Sequence, residues 1–575
     1  MEDIIKYLVF KNYLTYKERF NPNSIIGKLI LINPEIKKNI KEVMQKIKLF
    51  LEEAKKCDEK AIKEFLKKNE QIEKELKVKK EKKEDLPELN LRILDNPYFD
   101  KFRTRFEPSP SGPLHIGHAI GVIVNYLYSK KYKGEFILRI ADTNPKNILV
   151  EAYDYIVEDV EYLTGERIKP IIQSKRIKIY YEKLEELLEK GLAYVAVYEK
   201  GNKEYFDING LRLDKTILQR NRSIEENLDL WEKMLNNEFK EGEAVVRIKT
   251  TKSKINEPLE ETISYFKNSS LIDFPIFRIV EEEHPLMENV FVWPLMNFSV
   301  AIDDWLLKIS HVIRGKDHEL NGEKQKIIYS YFDAPIPEFI YFGKVNFIDL
   351  KISTTKIKKE IVEGKYEGWN DLRLPFLRAL KRKGIQRESL QKYAKAFGVS
   401  KSDKKTRTEE FFKTLYKFNR EILDPKTNRY FLVENPILIK VKGLKKEVKI
   451  KLRPNSKEER IIRVDEELFI DKKELDNLLK KGINKIRLMH LATLEIKKED
   501  NELFFDYVGD EIVKNKIHWV SKLNIEEMPL LKVENNEIVK RTVVVEKEAL
   551  LEDIFQAERI GFIKNEKEHL IFMHK

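Results

Sequence analysis

Cysteine and long apolar runs are what this 575-residue sequence has least of. Cys57 is the single cysteine, so the chain cannot build a disulfide framework within itself or a zinc site from several thiolates. No uninterrupted apolar run approaches the ~20 residues that span a bilayer. The opening MEDIIKYLVFKNYL places acids before its apolar residues and a lysine among them, unlike a signal peptide. These absences predict a cytoplasmic protein with no membrane partner and no metal-ligand set of its own.

The signatures of two common nucleotide-binding loops, GxxxxGK[ST] and GxGxxG, are also missing, so any phosphate site must be built differently. Charge, in contrast, is abundant. Lys and Arg number 109 against 97 Asp and Glu, which gives a net charge of +12. This balance is compatible with a polyanionic partner such as nucleic acid. A lysine-rich, AT-biased genome would give the same balance, so composition alone leaves both explanations open.

The length predicts three to five domains, and the texture of the sequence changes along the chain. Apolar spacings of three and four predict helices up to about residue 85, followed by the charged run KVKKEKKEDLPEL, which is typical of a linker. From about residue 100, strands alternate with amphipathic helices and predict a parallel α/β sheet. YFDINGLRL predicts a hairpin that turns at Asn209-Gly210. After Pro436, short strands separated by turns predict one or two β-barrels or sandwiches.

The stretch RFEPSPSGPLHIGHAIG, from Arg105 to Gly121, holds two of the nine histidines, spaced three apart. A strand, a tight proline-glycine loop and then a helix would present free N–H groups and a positive dipole end to an anion. Gly117 would let a nucleotide approach the backbone, with His115 and His118 beside its phosphates. The tetrapeptide alone is a weak signal, because chance matches and structural histidines are common.

In its full context, PSPSGPLHIGH resembles the HIGH signature of class I aminoacyl-tRNA synthetases, in the glutamyl/glutaminyl branch. Five further stretches are similar to motifs of that branch, in the same order: LRIADTNP, VWPLMNFSVAIDD, HVIRGKDHELNGEKQ, the KMSKS-like LKISTTK, and ILDPKTNRYFLV. The resemblance covers roughly residues 85–575. The β-rich ending and helical N-terminal extension resemble the archaeal type of glutamyl enzyme.

The resemblance implies an α/β protein with a class I synthetase Rossmann-like catalytic core and a C-terminal β-barrel anticodon-binding region. Its implied domains are a helical N-terminal extension and linker (1–95), two halves of the catalytic domain (96–200 and 286–375), an acceptor-stem-binding insertion (201–285), a helical connector (376–430) and the β-barrel region (431–575).

The same resemblance implies a glutamate–tRNA ligase that uses ATP and Mg²⁺ and acts as a monomer on L-glutamate and tRNA(Glu), with tRNA(Gln) as a second candidate. Two alternatives remain open at this point. One is a glutaminyl-tRNA synthetase, and the other is a degenerate tRNA-binding paralogue that no longer activates an amino acid.

Site residues follow from the resemblance position by position. The implied catalytic residues are His115, His118 and Lys356. The implied ATP-binding residues are Pro108, Ser109, Pro110, Ser111, Gly112, Pro113, Leu114, Ile116, Gly117, Ile313, Arg314 and Ser353. The implied amino-acid-binding residues are Arg105, Asp142 and Asn297. Without the resemblance, Arg105 would read as a surface strand residue, KISTTK as a solvated loop and SHVIRG as a buried strand.

Three positions depart from the pattern of the branch. Ala141 stands where an acidic residue usually meets the substrate's ammonium, Met296 replaces a tyrosine, and Thr354 replaces a lysine of the KMSKS-like loop. Each change removes a polar group from a site that would bind a charged substrate. Burying an unpartnered ammonium is costly, so Asp142 or Asn297 is expected to compensate. Without compensation, the chain would be a weak enzyme or a paralogue with another substrate.

Overall fold

The computed structural model of the protein describes residues 2–17, 20–32, 35–36, 39–73, 85–252, 257–350, 353–499 and 502–575. The chain divides into two compact units, Met1–Glu88 and Leu89–Lys575. The predicted linker run lies mostly outside the described residues, as do Lys351 and Ile352 of the KMSKS-like loop. Across the described ranges, no helix combines the length and apolarity needed to cross a membrane.

The first unit is a group of helices whose apolar faces meet. Its helices are α1 (Glu2–Tyr16), α2 (Pro22–Ile32), α3 (Ile40–Lys56) and α4 (Glu59–Lys68). The buried residues of α3 recur every three or four positions and so share one face: Val43, Ile47, Phe50 and Ala54. Asp58 begins α4 by accepting a hydrogen bond of 2.6 Å from the backbone N–H of Ala61. The helices predicted from apolar spacing are confirmed.

A parallel sheet lies at the centre of the second unit. Its strands are β1 (Arg103–Phe106), β2 (Glu135–Ile140) and β3 (Ile171–Ile172), together with the pair β10 (His311–Gly315) and β11 (Glu338–Phe342). The backbone N–H of Ser310 donates to the carbonyl of Arg103 at 3.1 Å, which places β10 beside β1. The chain therefore leaves β1 toward one side of the sheet and later returns on the other. Ligands of open parallel sheets bind at the carboxyl ends of the strands where the order reverses.

Helices alternate with these strands, as the sequence predicts. They are α5 (Ile116–Lys131), α6 (Ala152–Thr164), α7 (Ile177–Glu189), α10 (Met296–Leu306) and α11 (Glu319–Tyr331). In α5, which crosses from β1 to β2, Val122, Val124 and Tyr128 are completely buried. This burial packs α5 against β1 and β2 and so fixes the position of its first turn.

An antiparallel sheet interrupts the parallel one. It contains β4 (Ala193–Val197), β7 (Ala244–Ile248), β8 (Pro275–Ile279) and β9 (Val292–Pro294), accompanied by α8 (Ile224–Leu235), α9 (Leu259–Tyr265) and the hairpin of β5 (Tyr205–Ile208) and β6 (Leu211–Asp214). Asn209 and Gly210 have φ values of 50° and 76°, so the predicted hairpin turn is confirmed. This sheet extends past both bounds predicted for the acceptor-stem-binding insertion, residues 201 and 285, because it includes β4 and β9. Both strands are as apolar as core strands, and only their pairing with β7 and β8 assigns them to this sheet.

The chain between β11 and β14 is mostly helical. Its elements are the parallel pair β12 (Val345–Phe347) and β13 (Lys404–Thr406), with α12 (Thr354–Val362), α13 (Leu377–Arg382), α14 (Arg387–Phe397) and α15 (Thr408–Leu423).

The C-terminal region is β-rich, as predicted, and contains one set of strands inserted into another. A seven-stranded sheet has the order β14 (Arg429–Tyr430), β27 (Ile554–Ala557), β28 (Gly561–Asn565), β29 (Leu570–His574), β25 (Ile525–Glu534), β26 (Glu537–Glu546) and β15 (Leu432–Val433). Between β15 and β25 in sequence lies a distal group: β16 (Pro436–Lys440), β17 (Glu447–Lys451), β18 (Glu459–Arg463), β19 (Glu467–Asp471), α16 (Lys472–Leu479), β20 (Lys485–Leu488), β21 (Ala492–Glu499), β22 (Glu502–Gly509), β23 (Lys516–Ile517) and β24 (Trp519–Ser521). The distal group encloses its own apolar core.

Candidate active site

A cavity of about 610 Å³ opens at the carboxyl ends of β1 and β10, where the strand order reverses. The predicted site residues in its lining are Arg105, Pro108, Ser109, His115, Gly117, His118, Ile313 and Arg314. Among the described residues, the following predicted site residues are not in that lining: Pro110, Ser111, Gly112, Pro113, Leu114, Ile116, Asp142, Asn297, Ser353 and Lys356. The fold therefore brings the β1 arginine, the histidine pair and the β10 strand to one cavity.

The two histidines form the start of α5. The backbone N–H of Gly117 donates to His115 Nδ1 at 3.0 Å, and the backbone N–H of His115 donates to His118 Nδ1 at 3.4 Å. Because each Nδ1 accepts, each ring carries its proton on Nε2. The rings are stacked with centroids 3.7 Å apart. Both imidazoles are thus fixed as Nε2–H donors in the cavity wall.

Burial keeps both rings neutral. It lowers the pKa of His115 to about 4. Burial, with a smaller contribution from the neighbouring ring of His115, lowers the pKa of His118 well below its usual value. At neutral pH the pair therefore offers two hydrogen-bond donors rather than two positive charges. A Cβ on Gly117 would lie 2.8 Å from His115 Cε1, so a glycine at this position is required by the ring itself.

The loop before the histidines is held from two sides. The Asp159 carboxylate on α6 accepts a hydrogen bond of 2.7 Å from the backbone N–H of Leu114. On the other side, the N–H of Ile116 donates to the carbonyl of Pro375 at 3.0 Å. Gly112 lies against the KMSKS-like loop, since a Cβ there would be 2.4 Å from Thr354 Cγ2. Residues 112–116 are therefore positioned by both α6 and the segment that precedes α13.

Asp159 is expected to make stability depend on pH. Burial raises the pKa of its carboxyl to about 7, whereas an unfolded aspartate titrates near 3.9. The folded state therefore holds a proton that the unfolded state loses, and the natural chain loses stability as the pH rises from about 4 to about 7. Asparagine at this position does not titrate and can still accept from Leu114. The free energy of unfolding of Asp159→Asn minus that of the natural chain should therefore be higher at pH 8 than at pH 4 by about 2 kcal/mol or more.

Urea denaturation of both proteins from pH 4 to pH 8 measures this difference. Glu158→Gln is a matched control, because Glu158 is a more exposed neighbour that pairs with Arg378 at 2.5 Å. If the free energies of unfolding of Asp159→Asn and the natural chain change with pH in parallel, Asp159 does not titrate in this range.

The floor of the cavity rests on a buried cluster of arginines and carboxylates, of which Arg105, Glu107 and Arg314 line the cavity. Arg105 Nε lies 3.1 Å from both oxygens of Asp304, and Arg139 Nη1 donates to Asp304 Oδ1 at 2.8 Å. Glu107 binds the same two arginines on the cavity side, at 3.1 Å from Arg105 Nη2 and through a hydrogen bond from Arg139 Nη2. Asp303 pairs with Arg176 at 2.6 Å. The arginine predicted to receive the substrate is therefore already paired with two carboxylates of the protein.

Arg314 is the third guanidinium of the cluster, and its Nη1 lies 3.9 Å from Glu107 Oε1. It is 7% exposed, and its Nη2 donates to Gln325 at 2.8 Å. Its Nε and Nη1 are buried and make no hydrogen bond within the described residues. Buried guanidinium N–H groups are normally satisfied, and a carboxylate can occupy two of them at once. A negatively charged ligand in the cavity would satisfy both groups.

The remaining predicted amino-acid residues lie outside the cavity lining. The buried Asp142 accepts hydrogen bonds from Tyr153 Oη and Ser174 Oγ, both at 2.7 Å. Burial raises the pKa of Asp142, but hydrogen bonds from His284, Ser174 and Tyr153 outweigh burial and hold this pKa below the usual value. Its carboxylate is thus committed within the protein. Asn297 accepts from Gln325 Nε2 at 3.5 Å, which places it one side chain away from the arginine cluster. Neither placement tests a role in amino-acid binding, which stays a prediction.

The KMSKS-like segment is seen at the start of α12. Ser353 caps this helix by accepting from the backbone N–H of Lys356 at 3.4 Å. The Lys356 side chain is 71% exposed, and its ammonium lies 3.9 Å from Glu360. The loop therefore places this lysine in solvent, outside the cavity lining.

Three residues of the floor are not predicted from the sequence: Glu107, Arg139 and Asp304. Asp304 is 199 residues from Arg105, and only the packing of α10 against the sheet brings the two together. A weak signal exists for Arg139, a charged residue between the apolar residues Leu138 and Ile140 of the strand segment EFILRI. A charge at such a position usually has a buried partner.

Comparison with known families identifies the chain. Residues 101–425 match tRNA synthetases class I (E and Q), catalytic domain. Residues 427–507 match tRNA synthetases class I (E and Q), anti-codon binding domain. The chain therefore belongs to the E and Q family of class I tRNA synthetases.

Its relatives are similar over nearly their full length. The glutamate–tRNA ligase of Methanocaldococcus jannaschii is 37% identical over 580 residues, covering 99% of this chain and 98% of the relative. Those of Archaeoglobus fulgidus (34%, 98% and 98%) and Pyrococcus furiosus (35%, 99% and 99%) are comparably similar. The resemblance found in the motifs thus extends through the whole chain.

Proposed function

We propose that this synthetase is a glutamate–tRNA ligase, which converts glutamate and ATP to glutamyl-adenylate and pyrophosphate and then transfers the glutamyl group to the 3′-terminal adenosine of tRNA(Glu). The observation that carries the proposal is the pairing of two features in one cavity. Arg314 offers a carboxylate its buried Nε and Nη1 groups, which make no hydrogen bond in the described part of the chain, and the histidine pair offers neutral donors for phosphate oxygens. The names of the full-length relatives support the same substrate.

In the proposed first step, an oxygen of the α-carboxylate of glutamate attacks the α-phosphorus of ATP, and the bond from that phosphorus to the departing pyrophosphate breaks. The protein contributes position and charge stabilisation rather than a nucleophile. His115 and His118 donate through Nε2–H to oxygens on which negative charge develops. In the second step, a ribose hydroxyl of the terminal adenosine attacks the carbonyl carbon, loses its proton, and AMP leaves.

Mg²⁺ and the KMSKS-like loop complete the proposal. Within the described residues, no group of three His, Cys, Asp or Glu side chains could hold a metal ion. Mg²⁺ commonly retains water and binds substrate phosphates with few protein carboxylates, so the ion would arrive with ATP. Lys356 is proposed to approach the departing pyrophosphate, since α12 begins beside Gly112 and the ammonium of this exposed lysine is held only by a long contact of 3.9 Å with Glu360 among the described residues.

ATP–pyrophosphate exchange tests this function directly. Exchange is expected with glutamate, and glutamine should support it far less well; both are measured with and without tRNA(Glu). Exchange that depends on glutamine instead would support the glutaminyl alternative. Binding of tRNA with no exchange for any amino acid, in either condition, would support a degenerate tRNA-binding protein.

The distal group of strands is proposed to bind the anticodon region of the tRNA. On β17, Lys449 and Lys451 are exposed while Ile450 between them is buried, so both lysines lie on the solvent side of the strand, together with Glu447. On β22, Phe504 is 45% exposed and offers a ring for base stacking. Basic side chains supply affinity through phosphates, and unpaired bases stack on aromatic rings.

Excision of the distal group is expected to weaken tRNA binding by about tenfold or more and to flatten its salt dependence. The structure shows where to cut. β15 and β25 both pair with β26, through Val433↔Val544 and Ile525↔Glu546, so a short Gly-Ser linker can replace residues 436–522. A deletion of everything from residue 435 onward would instead remove most of the seven-stranded sheet.

Fluorescence titration of labelled tRNA at several salt concentrations measures this effect. The control is ATP-dependent thermal stabilisation, which the excision should leave in place because the cavity lies in another domain. Unchanged tRNA affinity in a folded, ATP-binding variant would contradict the assignment.

A further inference from the structure

The backbone of Leu114, the residue before His115, is held on both sides. Its N–H donates to Asp159 Oδ2 at 2.7 Å, and its carbonyl accepts a hydrogen bond of 2.9 Å from the N–H of Leu377. Leu114 is 1% exposed, so water has little access to compete for either bond. The position of the first histidine relative to the sheet therefore depends on Asp159 and on the start of α13.

Asp159 makes this contact at a cost to the folded state. Its side chain is 3% exposed, and the Leu114 N–H is its one hydrogen-bond or ion-pair partner among the described residues. Burial raises the pKa of the carboxyl to about 7, and the Leu114 N–H offsets only part of that effect. Apolar residues of similar volume often replace buried charged groups without loss of stability. Stability alone therefore does not account for an acid at this position.

The helix that carries Asp159 also holds the other partner of Leu114. On α6, Glu158 pairs with Arg378 at 2.5 Å, and the Arg378 guanidinium lies 4.2 Å from the ring centroid of Tyr155. Arg378 follows Leu377 in α13. A single helix thus fixes both the acceptor of the Leu114 N–H and the donor to the Leu114 carbonyl.

We propose that Asp159 is a positioning residue for glutamyl-adenylate formation, which holds Leu114 in place and so aims the Nε2–H donors of His115 and His118 into the cavity. The inference rests on the proposed function, because it assumes that the histidine pair stabilises charge on ATP. Asp159 is outside the cavity lining, so it acts through the loop. Both rings would follow a displaced Leu114, because His115 is the next residue and its N–H donates to His118 Nδ1.

Replacing Asp159 by leucine removes the hydrogen-bond acceptor and nearly keeps the size of the side chain. The Leu114 N–H would then be buried without a partner, and the loop would move to find one. Because a misplacement of ~1 Å can slow an enzymatic reaction ~10²-fold, adenylate formation at saturating ATP is expected to slow about tenfold or more. The ATP concentration that gives half the maximal rate should change by less than about threefold, because the misplaced donors act mainly in the transition state.

Single-turnover adenylate formation over a range of ATP concentrations measures both quantities, with or without tRNA(Glu) as the natural chain requires. Rates are expressed per folded molecule. A natural rate in folded Asp159→Leu, with only the thermal midpoint lowered, would overturn the proposal.

Rescue by Asp159→Asn is the readout that separates positioning from bulk. The carboxamide keeps an oxygen that accepts from Leu114, and near pH 7 it resembles a carboxyl that is partly protonated. Its rate should therefore stay within about threefold of the natural rate. Asp159→Asn that is as slow as Asp159→Leu would overturn the proposal, because the bond to Leu114 would not be what sets the rate.

Thr164→Val is a matched control on the same helix. Thr164 is 6% exposed, and its Oγ1 donates to the carbonyl of Val160 at 2.8 Å. The change removes a buried hydrogen bond of α6 without touching Leu114, so the rate should be unchanged even if stability falls. A rate as low as that of Asp159→Leu would overturn the proposal, since general loosening of α6 would then explain both results.

Asp159→Glu replaces the leucine variant if that protein does not fold. It retains the carboxyl but adds one methylene, so Leu114 must move although its N–H keeps an acceptor. The rate is again expected to fall about tenfold, and a natural rate would overturn the proposal. Absence of glutamate-dependent adenylate in the natural chain would instead overturn the proposed function, and this inference with it.

Discussion

Replacing His118 or His115 by asparagine is expected to slow glutamyl-adenylate formation by ~10²-fold or more, the usual effect of losing one preorganised donor to a developing negative charge. Each ring is fixed as an Nε2–H donor, because its Nδ1 accepts a backbone N–H of the α5 start. Asparagine retains a short polar group that can cap the helix, but it cannot reach as far into the cavity. ATP binding should weaken much less than the rate.

Single-turnover formation of glutamyl-adenylate at several ATP concentrations separates the rate from ATP affinity. Since the pKa of His115 is about 4, these rings should impose no titration near pH 6.5 on the natural chain. His569→Asn is a suitable control, because His569 pairs with Glu566 in the C-terminal region. A variant with a lowered thermal midpoint and an unchanged rate per folded molecule would show that the histidines are only structural.

Replacing Asp304 by asparagine is expected to lower the free energy of unfolding by about 3–5 kcal/mol, the usual cost of removing one partner from a buried ion pair. The Asp304 side chain is completely buried and contacts both Arg105 and Arg139. Asparagine keeps the size of the side chain but not its charge. The buried guanidiniums of Arg105 and Arg139 would then share Glu107. Arg139 would also keep Asp303, whose Oδ2 lies 3.7 Å from Arg139 Nε.

Guanidinium chloride denaturation of the second unit measures this loss. Asp100→Asn is the matched control, because Asp100 pairs with Arg103 in a half-exposed position and such pairs contribute at most about 1 kcal/mol. A loss below about 1 kcal/mol for Asp304→Asn would show that the cluster tolerates the missing charge.

Local sequence determined the elements and the histidine end of the cavity. The strand, the proline-glycine loop and the helix that starts at His115 are all properties of neighbouring residues, so their spacing predicts the histidine geometry. Asn209-Gly210 similarly specifies its own turn, because both residues adopt left-handed backbone angles. The order of the motifs also predicted the family, since it is a property of the linear chain.

The tertiary structure alone decided which groups are available to a substrate. Arg105 and Asp142 lie on adjacent strand ends, yet Asp304 takes one and Ser174 and Tyr153 take the other. Asp304 comes from a helix almost two hundred residues away in sequence, and no local spacing records that approach. Likewise, the seven-stranded sheet is completed only after the distal group has been inserted into it. Motif spacing shows which side chains could meet, but a buried charge binds whichever partner long-range packing places beside it.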